Sequence, residues 1–116
     1  MNPETKIQNM ILVKLSEAGC IVFRNETGAG WVGRILHRDA GQVTLINASM
    51  VKFGLTVGSA DIIGISPTGK FLAVEVKTSK GRATKEQLRF IDAVNSAGGI
   101  AGIARSVEEA LLLISA

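Results

Sequence analysis

The chain has 116 residues, of which 47% are hydrophobic and 20% charged, a balance typical of a globular domain and not of a disordered segment. This length predicts a single domain over residues 1–116 and excludes two domains with separate large cores. The formal net charge of +3 favours a polyanionic partner without identifying one.

The cysteine count and the apolar runs indicate where the protein works. Cys20 is the only cysteine, so an intramolecular disulfide and a cysteine metal cluster are both excluded. The longest apolar run, residues 110–114, is far too short to span a bilayer. We therefore expect a cytoplasmic protein with no membrane partner.

The start of the sequence predicts an amphipathic helix. Asn2 is a suitable N-cap, Pro3 suits the first turn, and Gly19 can end the helix. One apolar face recurs at helical spacing and comprises Ile7, Ile11 and Leu15. Glu4 and Gln8 lie on that same inward side. The Glu4 carboxylate is therefore either a partner of the helix dipole or a catalytic group lying over the sheet.

The next part of the sequence is rich in β-forming residues and interrupted by glycines. Strands are predicted at residues 21–24, 32–37 and 42–46, with a turn at residues 39–41. Residues 28–33 spell a glycine-rich dinucleotide motif, but neither the amphipathic helix nor the later acidic residue of that motif follows. We interpret this segment as a turn-forming loop, and a contact with a nucleic-acid backbone stays open.

A β-hairpin at residues 60–77 is the most informative feature of the sequence. Pro67 suits the first corner of its turn, and Gly69 suits the left-handed residue that closes it. Pairing of Ser66 with Lys70 across this turn then sets the register of both strands. The register decides which side chains meet on each face of the hairpin.

In this register Asp61 lies directly across from Glu75, and Lys77 shares their face. Two directly opposed carboxylates repel each other and weaken a sheet. The pair therefore needs a bound cation, or one carboxyl group must keep its proton. We favour a divalent metal with Lys77 beside it over the alternative, an ordinary cross-strand salt bridge.

The remaining sequence predicts a helix, a strand and a second helix. A capping box at residues 84–87 starts the first helix, and the glycines at 98–99 end it. A buried strand at residues 100–104 and a second capping box at residues 106–109 follow. A strand, a helix and another strand imply a crossover to a parallel neighbour, so we predict an α/β fold with a mixed sheet.

Basic residues crowd around this part of the chain, opposed only by Glu86: Lys77, Lys80, Arg82, Lys85 and Arg89. A phosphate backbone is a natural counterpart for such a patch, and a solvated loop and helix surface is the alternative interpretation.

Asp61 followed by Glu75, Val76 and Lys77 resembles the active-site signature of the PD-(D/E)xK nuclease superfamily. More narrowly, the chain resembles the VRR-NUC domain family, with similar elements along nearly all of its length: Glu4 with Gln8, Arg24 with Asn25, Gly28, residues 58–61 and Gln87. The family usually has proline before the aspartate, where this chain has Ala60. The resemblance implies a restriction-endonuclease-like mixed β-sheet flanked by helices, in a protein of bacterial or phage origin.

The resemblance also implies a DNA endonuclease that uses Mg²⁺ or Mn²⁺. The implied metal ligands are three carboxylates and one main-chain carbonyl: Asp61, Glu75, Glu4 and Val76. Lys77 would orient and activate the attacking water, and Gln87 would hydrogen-bond a phosphate or that water, although a purely capping role for Gln87 is equally plausible. The remaining cations would hold DNA phosphates: Arg24, Lys80, Arg82, Lys85 and Arg89.

The sequence contains no recognition helix with base-reading character, so we expect selection of DNA structure and not of sequence. Branched, flap or four-way junction DNA is the expected substrate. A homodimer is expected from the resemblance, with the apolar segment at residues 42–53 as its interface. The alternative function is a nucleic-acid-binding module that keeps this fold and does not cleave.

Overall fold

The structure of the protein, a computed structural model, describes residues 1–115. Its elements in chain order are α1 (Pro3–Glu17), β1 (Ile21–Arg24), β2 (Gly28–Asp39), β3 (Gln42–Phe53), β4 (Ile62–Ile65), β5 (Phe71–Val76), α2 (Lys85–Ser96), β6 (Ile100–Ala104) and α3 (Val107–Ser115). They form two compact units, one from Met1–Asn25 together with the chain from Val57 onward, the other from Glu26–Thr56. No helix within residues 1–115 is both long and apolar enough to cross a membrane.

Helix α1 begins and ends where the sequence predicts. The Asn2 side chain caps it by accepting a hydrogen bond from the Thr5 amide at 2.7 Å, and Pro3 occupies the first turn, where no amide donor is needed. Gly19 follows the helix with a φ of +97°, a left-handed conformation that glycine adopts without strain. The predicted apolar face is confirmed, because Ile11 and Leu15 are completely buried.

The larger unit contains a mixed sheet with strand order β1-β4-β5-β6. Strands β1, β4 and β5 pair antiparallel, whereas β6 runs parallel to β5 after the crossover through α2. The predicted hairpin register is confirmed, since the Ser66 amide donates to the Lys70 carbonyl at 2.8 Å. The α/β fold with helices flanking a mixed sheet is therefore confirmed.

The two faces of this sheet pack against different helices. Leu72, Val74 and Val76 belong to a core shared with α1 and α3. Ala73, on the opposite face, packs against Ile91 of α2. Because strand side chains alternate, Glu75 projects from the same face as Ala73, toward α2.

The first predicted capping box is confirmed and the second is altered. Thr84 and Gln87 satisfy each other's main-chain amides at the start of α2. At α3, the Ser106 hydroxyl accepts from the Glu109 amide at 3.1 Å, but the Glu109 carboxylate accepts from the amide of Arg105, one residue before the cap. The Arg105 main chain is therefore hydrogen-bonded to the first turn of α3.

The smaller unit is a long two-stranded ribbon, in which β2 pairs antiparallel with β3 from Gly28–Phe53 to Asp39–Gln42. The interpretation of residues 28–33 as a turn-forming loop is wrong, because this segment is the first half of β2. The Phe53 ring lies so close to Gly28 that a Cβ there would approach it to 2.8 Å. Aromatic cover of this kind lets a strand contain glycine despite its low β-propensity.

Gly64 shows how closely β1 approaches β4. A Cβ at this position would lie 1.9 Å from the main-chain oxygen of Ile21, which is rigid backbone. We expect Gly64→Ala to lower the free energy of unfolding by about 3 kcal/mol or more, through overpacking and loss of β1 pairing. Gly30→Ala is the control, because its Cβ would make an ordinary 3.7 Å contact. Urea denaturation of both variants measures the difference, and equal stabilities would contradict this packing.

Candidate active site

Asp61 lies at the point where the antiparallel ladder between β4 and β5 ends. The last pair of that ladder is Ile62 with Val74, so the Val76 amide has no β4 main-chain partner in it. The Asp61 carboxylate replaces that partner, because its Oδ2 accepts a hydrogen bond from the Val76 amide at 2.9 Å. This bond fixes the Asp61 side chain at the β5 main chain.

Asn25 holds the main chain around Asp61. Its amide donates to the Asp61 carbonyl at 2.8 Å, and its side-chain Nδ2 donates to the Ser59 hydroxyl and the Ala60 carbonyl, both at 2.8 Å. The segment that carries Asp61 is therefore tied to the end of β1 through one residue.

Glu75 is a buried carboxylate, with only 2% of its surface exposed. Its Oε2 accepts a hydrogen bond from Gln87 Nε2 at 2.8 Å and forms an ion pair with Lys77 Nζ at 3.2 Å. Its other oxygen, Oε1, is buried and has no hydrogen-bond partner among residues 1–115. A buried charged oxygen without a partner is costly, so this atom is suited to a ligand that supplies positive charge.

Burial and the neighbouring Asp61 charge together raise the pKa of Glu75 from an ordinary 4.5 to about 7. The ion pair and hydrogen bond with Lys77 act in the opposite direction and do not compensate. The repulsion between the two carboxylates, predicted from the hairpin register, is therefore present in the folded protein.

The Val76 carbonyl lies on the same side of β5 as Asp61. Within a strand, the N–H and C=O of one residue point to the same side. The Val76 amide points to Asp61, whereas the next amide, that of Lys77, points the other way and donates to the Ala104 carbonyl at 3.1 Å. Asp61, Glu75 and the Val76 carbonyl thus offer hard oxygen donors of the kind that Mg²⁺ prefers.

Gln87 makes the predicted capping contact and a second contact, with Glu75, that the sequence does not predict. Its Oε1 accepts from the Thr84 amide at 2.9 Å and completes the capping box, while its Nε2 donates to Glu75. The amide group can do both because its acceptor and donor lie on opposite sides of the side chain. The start of α2 is consequently linked to the buried carboxylate.

Glu4 is not part of a compact group with the two hairpin carboxylates. Within residues 1–115 no set of three or more histidine, cysteine or acidic side chains is close enough to hold a metal ion. Helix α1, which carries Glu4, packs on the sheet face opposite to the one from which Glu75 projects. A ligand role for Glu4 stays a prediction.

The family model of the VRR-NUC domain matches residues 38–108, which is more than half of the chain. The chain belongs to the VRR-NUC domain family. A solved structure described as a VRR_NUC domain has the same fold, with a TM-score of 0.61 at 18% sequence identity, and the match covers 99% of this chain and 97% of that chain. No curated protein matches the sequence. The resemblance drawn from the hairpin residues is therefore confirmed, and the family is one of nuclease-type domains.

The cations of this VRR-NUC domain are placed differently from one another. The loop and helix cations are exposed, as the sequence predicts for a phosphate-binding patch: Lys80, Arg82, Lys85 and Arg89. Arg24 is also exposed, but its guanidinium is bound to α1, where it donates to Gln8 Oε1 at 2.6 Å and to Asn9 Oδ1. A phosphate contact by Arg24 would have to share or replace these bonds.

Two residues that support the site were not assigned a role from the sequence. The sequence indicates Asn25 only as part of the family pattern, although its position directly after β1 is a signal for a strand-end contact. Arg105 has no role predicted from the sequence, yet its Nη1 donates to the carbonyls of Thr78 and Gly81 just after the hairpin of β4 and β5. Its only sequence signal is a cation between a buried strand and a helix cap.

Proposed function

We propose that this VRR-NUC domain is a metal-dependent DNA endonuclease that hydrolyses phosphodiester bonds in branched, flap or four-way junction DNA. Family membership supports nuclease chemistry in general. The observation that carries the specific proposal is the buried Glu75 carboxylate: its Oε1 has no hydrogen-bond partner within residues 1–115, its Oε2 pairs with Lys77 Nζ, and the Asp61 charge raises its pKa.

The site fits a divalent cation such as Mg²⁺ or Mn²⁺. Asp61, Glu75 and the Val76 carbonyl would hold the ion, and Glu4 would add a ligand directly or through water. When bound, such a cation supplies charge neutralisation on the scissile phosphate and lowers the pKa of a coordinated water.

The chain's own side chains would orient and stabilise the reacting groups. Lys77 would hold the attacking water and stabilise the negative charge that develops on the phosphorane oxygens. The water oxygen would bond to phosphorus and give one proton to the solvent as the bond to the departing oxygen breaks, and the departing oxygen would take up one proton from the solvent. Gln87 would keep Glu75 in position and can hydrogen-bond the phosphate or the water.

DNA binding would rest on phosphate contacts from the exposed cations of the loop and of α2: Lys80, Arg82, Lys85 and Arg89. Such contacts position a nucleic acid and carry no sequence information, which supports selection by DNA structure. Arg24 would join this set at the end of β1.

The proposal includes a cytoplasmic homodimer of bacterial or phage origin. Strand β3 exposes about half the surface of Val43, Met50 and Phe53, which is unusual for an isolated ribbon and suits an interface between two copies. A pair of sites related by a two-fold axis would suit a symmetric four-way junction. We also propose that residues 1–116 act as one functional domain.

An activity panel tests this function. Labelled linear, flapped and four-way DNA is incubated with the protein in Mg²⁺, in Mn²⁺ and in EDTA. We expect cleavage that requires the cation and is fastest on a branched substrate. Cleavage that continues in EDTA would contradict the metal site, and equal rates on linear and branched DNA would contradict structure selection.

The alternative is a nucleic-acid-binding module without cleavage. The absence of a three-carboxylate cluster in residues 1–115 favours it. Binding of branched DNA that survives Glu75→Ala and Lys77→Ala, with no cutting by either variant or by the unaltered protein, would support this alternative.

A further inference from the structure

We propose that Arg105 is a positioning residue, which keeps Lys77 against Glu75 by clamping the loop at residues 78–81. This inference rests on the proposed nuclease function, in which Lys77 acts on the attacking water. The Arg105 guanidinium donates to the carbonyls of Thr78 and Gly81 and, within residues 1–115, makes no hydrogen bond to Asp61 or Glu75.

The clamp closes a tight turn that follows Lys77. The Gly81 amide donates to the Thr78 carbonyl at 3.1 Å, which forms the turn. Arg105 Nη1 then donates to the carbonyls at both ends of this turn, to Thr78 at 2.5 Å and to Gly81 at 2.7 Å. Charge-assisted bonds of this kind are stronger than bonds between neutral groups.

The clamped turn lies against the side chain of Lys77. A Cβ added to Gly81 would be 3.3 Å from Lys77 Cδ and 3.4 Å from its Cβ, so the Gly81 main chain lines the lysine stem. The Lys77 amide is held by the Ala104 carbonyl at 3.1 Å. Ala104 and Arg105 therefore fix the main chain at Lys77 and the turn that packs on its side chain.

Arg105 is itself anchored and differs from the phosphate-binding cations. Its main-chain amide donates to the Glu109 carboxylate of α3 at 2.7 Å. Its Nη1 donors are used on main-chain carbonyls, and the residue is half-buried, whereas Lys80 and Arg82 on the same loop are exposed. Arg105 therefore holds main-chain carbonyls of the loop, whereas the exposed cations are available to phosphates.

A lysine has a long and flexible side chain, so packing contacts along its methylene groups are needed to keep the ammonium group in one position. Displacement of a catalytic group by about 1 Å can reduce the rate by about a hundredfold. The clamped turn supplies such a contact, because movement of Gly81 would remove the packing against the Lys77 side chain.

The kinetic test compares Arg105→Ala, Arg105→Lys and the unaltered protein on the fastest-cut DNA of the activity panel. We expect Arg105→Ala to lower kcat by about ten- to a hundredfold, with KM changed by less than about twofold. Arg105→Lys is expected to recover part of the loss, because its ammonium group can still donate to a carbonyl. A raised KM with unchanged kcat would overturn the proposal and make Arg105 a DNA contact.

Three further variants distinguish an effect on the position of Lys77 from the loss of a positive charge that binds DNA. Lys6→Ala removes an exposed cation of α1 and is expected to change neither constant. Arg82→Ala removes an exposed cation directly after the clamped loop and is expected to raise KM. Gly81→Ala retains Arg105 but presses on the Lys77 stem, and is expected to lower kcat as Arg105→Ala does. Wild-type kcat in both Gly81→Ala and Arg105→Ala would overturn the proposal.

A measurement without DNA or metal keeps this test independent of the nuclease proposal. We expect hydrogen exchange at the Gly81 amide to be at least about tenfold faster in Arg105→Ala, while exchange at Ile91 in the α2 core is unchanged. Unchanged Gly81 exchange would overturn the clamp even if the protein cleaves DNA. Faster Gly81 exchange in a protein that cuts no DNA would instead support the clamp and contradict the proposed function.

Discussion

Glu75→Gln is expected to reduce DNA cleavage by about a thousandfold or more. The substitution keeps the size and the hydrogen-bonding capacity of the side chain, so Gln87 retains a partner. It removes the negative charge on a buried oxygen pair that would hold the cation, and a loss of about 4 kcal/mol of transition-state stabilisation corresponds to that factor. Single-turnover cleavage of the preferred branched DNA at saturating protein measures it.

Lys77→Ala is the companion variant. We expect it to lower the rate of DNA cleavage by about a hundred- to a thousandfold, which is typical for removal of one group that stabilises charge in the transition state. Asp92→Asn is the matched control, because Asp92 is an exposed carboxylate on α2 outside the site. Wild-type cleavage by Glu75→Gln would place the chemistry elsewhere in the molecule. Equal losses in Asp92→Asn would point to a general effect of charge and not to this site.

The metal-free protein is expected to lose stability as the pH rises from about 5 to about 8. The folded-state pKa of Glu75, about 7, lies above its ordinary 4.5, so the folded state binds more protons between these values. Its stabilising contribution is fully present below pH 4.5 and is lost as the pH rises through 7. The expected loss in the free energy of unfolding is about 2–3 kcal/mol.

Glu75→Gln isolates this effect, because it removes the ionisable carboxyl group at this one position and keeps the size of the side chain. The difference between the urea-denaturation curves of the two proteins should favour the variant at pH 8 and shrink toward pH 5. Added Mg²⁺ should stabilise only the unaltered protein, most strongly at pH 8, where Glu75 is ionised. A stability that increases with pH would instead show that the Lys77 ion pair governs Glu75, as the salt-bridge alternative requires.

Asp61→Asn is a second test of the repulsion between the Asp61 and Glu75 carboxylates. Its side-chain oxygen can still accept the Val76 amide, so the strand-end hydrogen bond is kept. We expect higher metal-free stability at pH 8 from loss of the negative charge, together with loss of the Mg²⁺ effect. Lower metal-free stability would favour an ordinary salt bridge in the hairpin.

The hairpin shows what short-range sequence rules predict well. Pro67 and Gly69 define the turn, the turn defines the register, and the register determines that Glu75 and Lys77 share a face. The α2 capping box and the apolar face of α1 were predictable for the same reason, since each depends on residues only a few positions apart.

The ribbon was less predictable. The glycines of residues 28–33 favour a turn by local propensity, yet Phe53, which lies far away in the sequence, covers one of them and allows a strand. The full role of the Gln87 side chain could not be predicted for a similar reason. Its capping role is local, whereas its bond to Glu75 depends on where α2 packs on the sheet.

The sequence by itself determined which residues are the candidates for catalysis: an aspartate, a glutamate and a lysine brought to one end of a hairpin by its turn. Only the tertiary structure decided that Glu75 is buried, that one of its oxygens has no hydrogen-bond partner in the described part of the chain, and that Arg105 donates to the loop beside Lys77. Burial and long-range hydrogen bonds depend on the packing of helices and strands distant in the chain, and no local pattern encodes them.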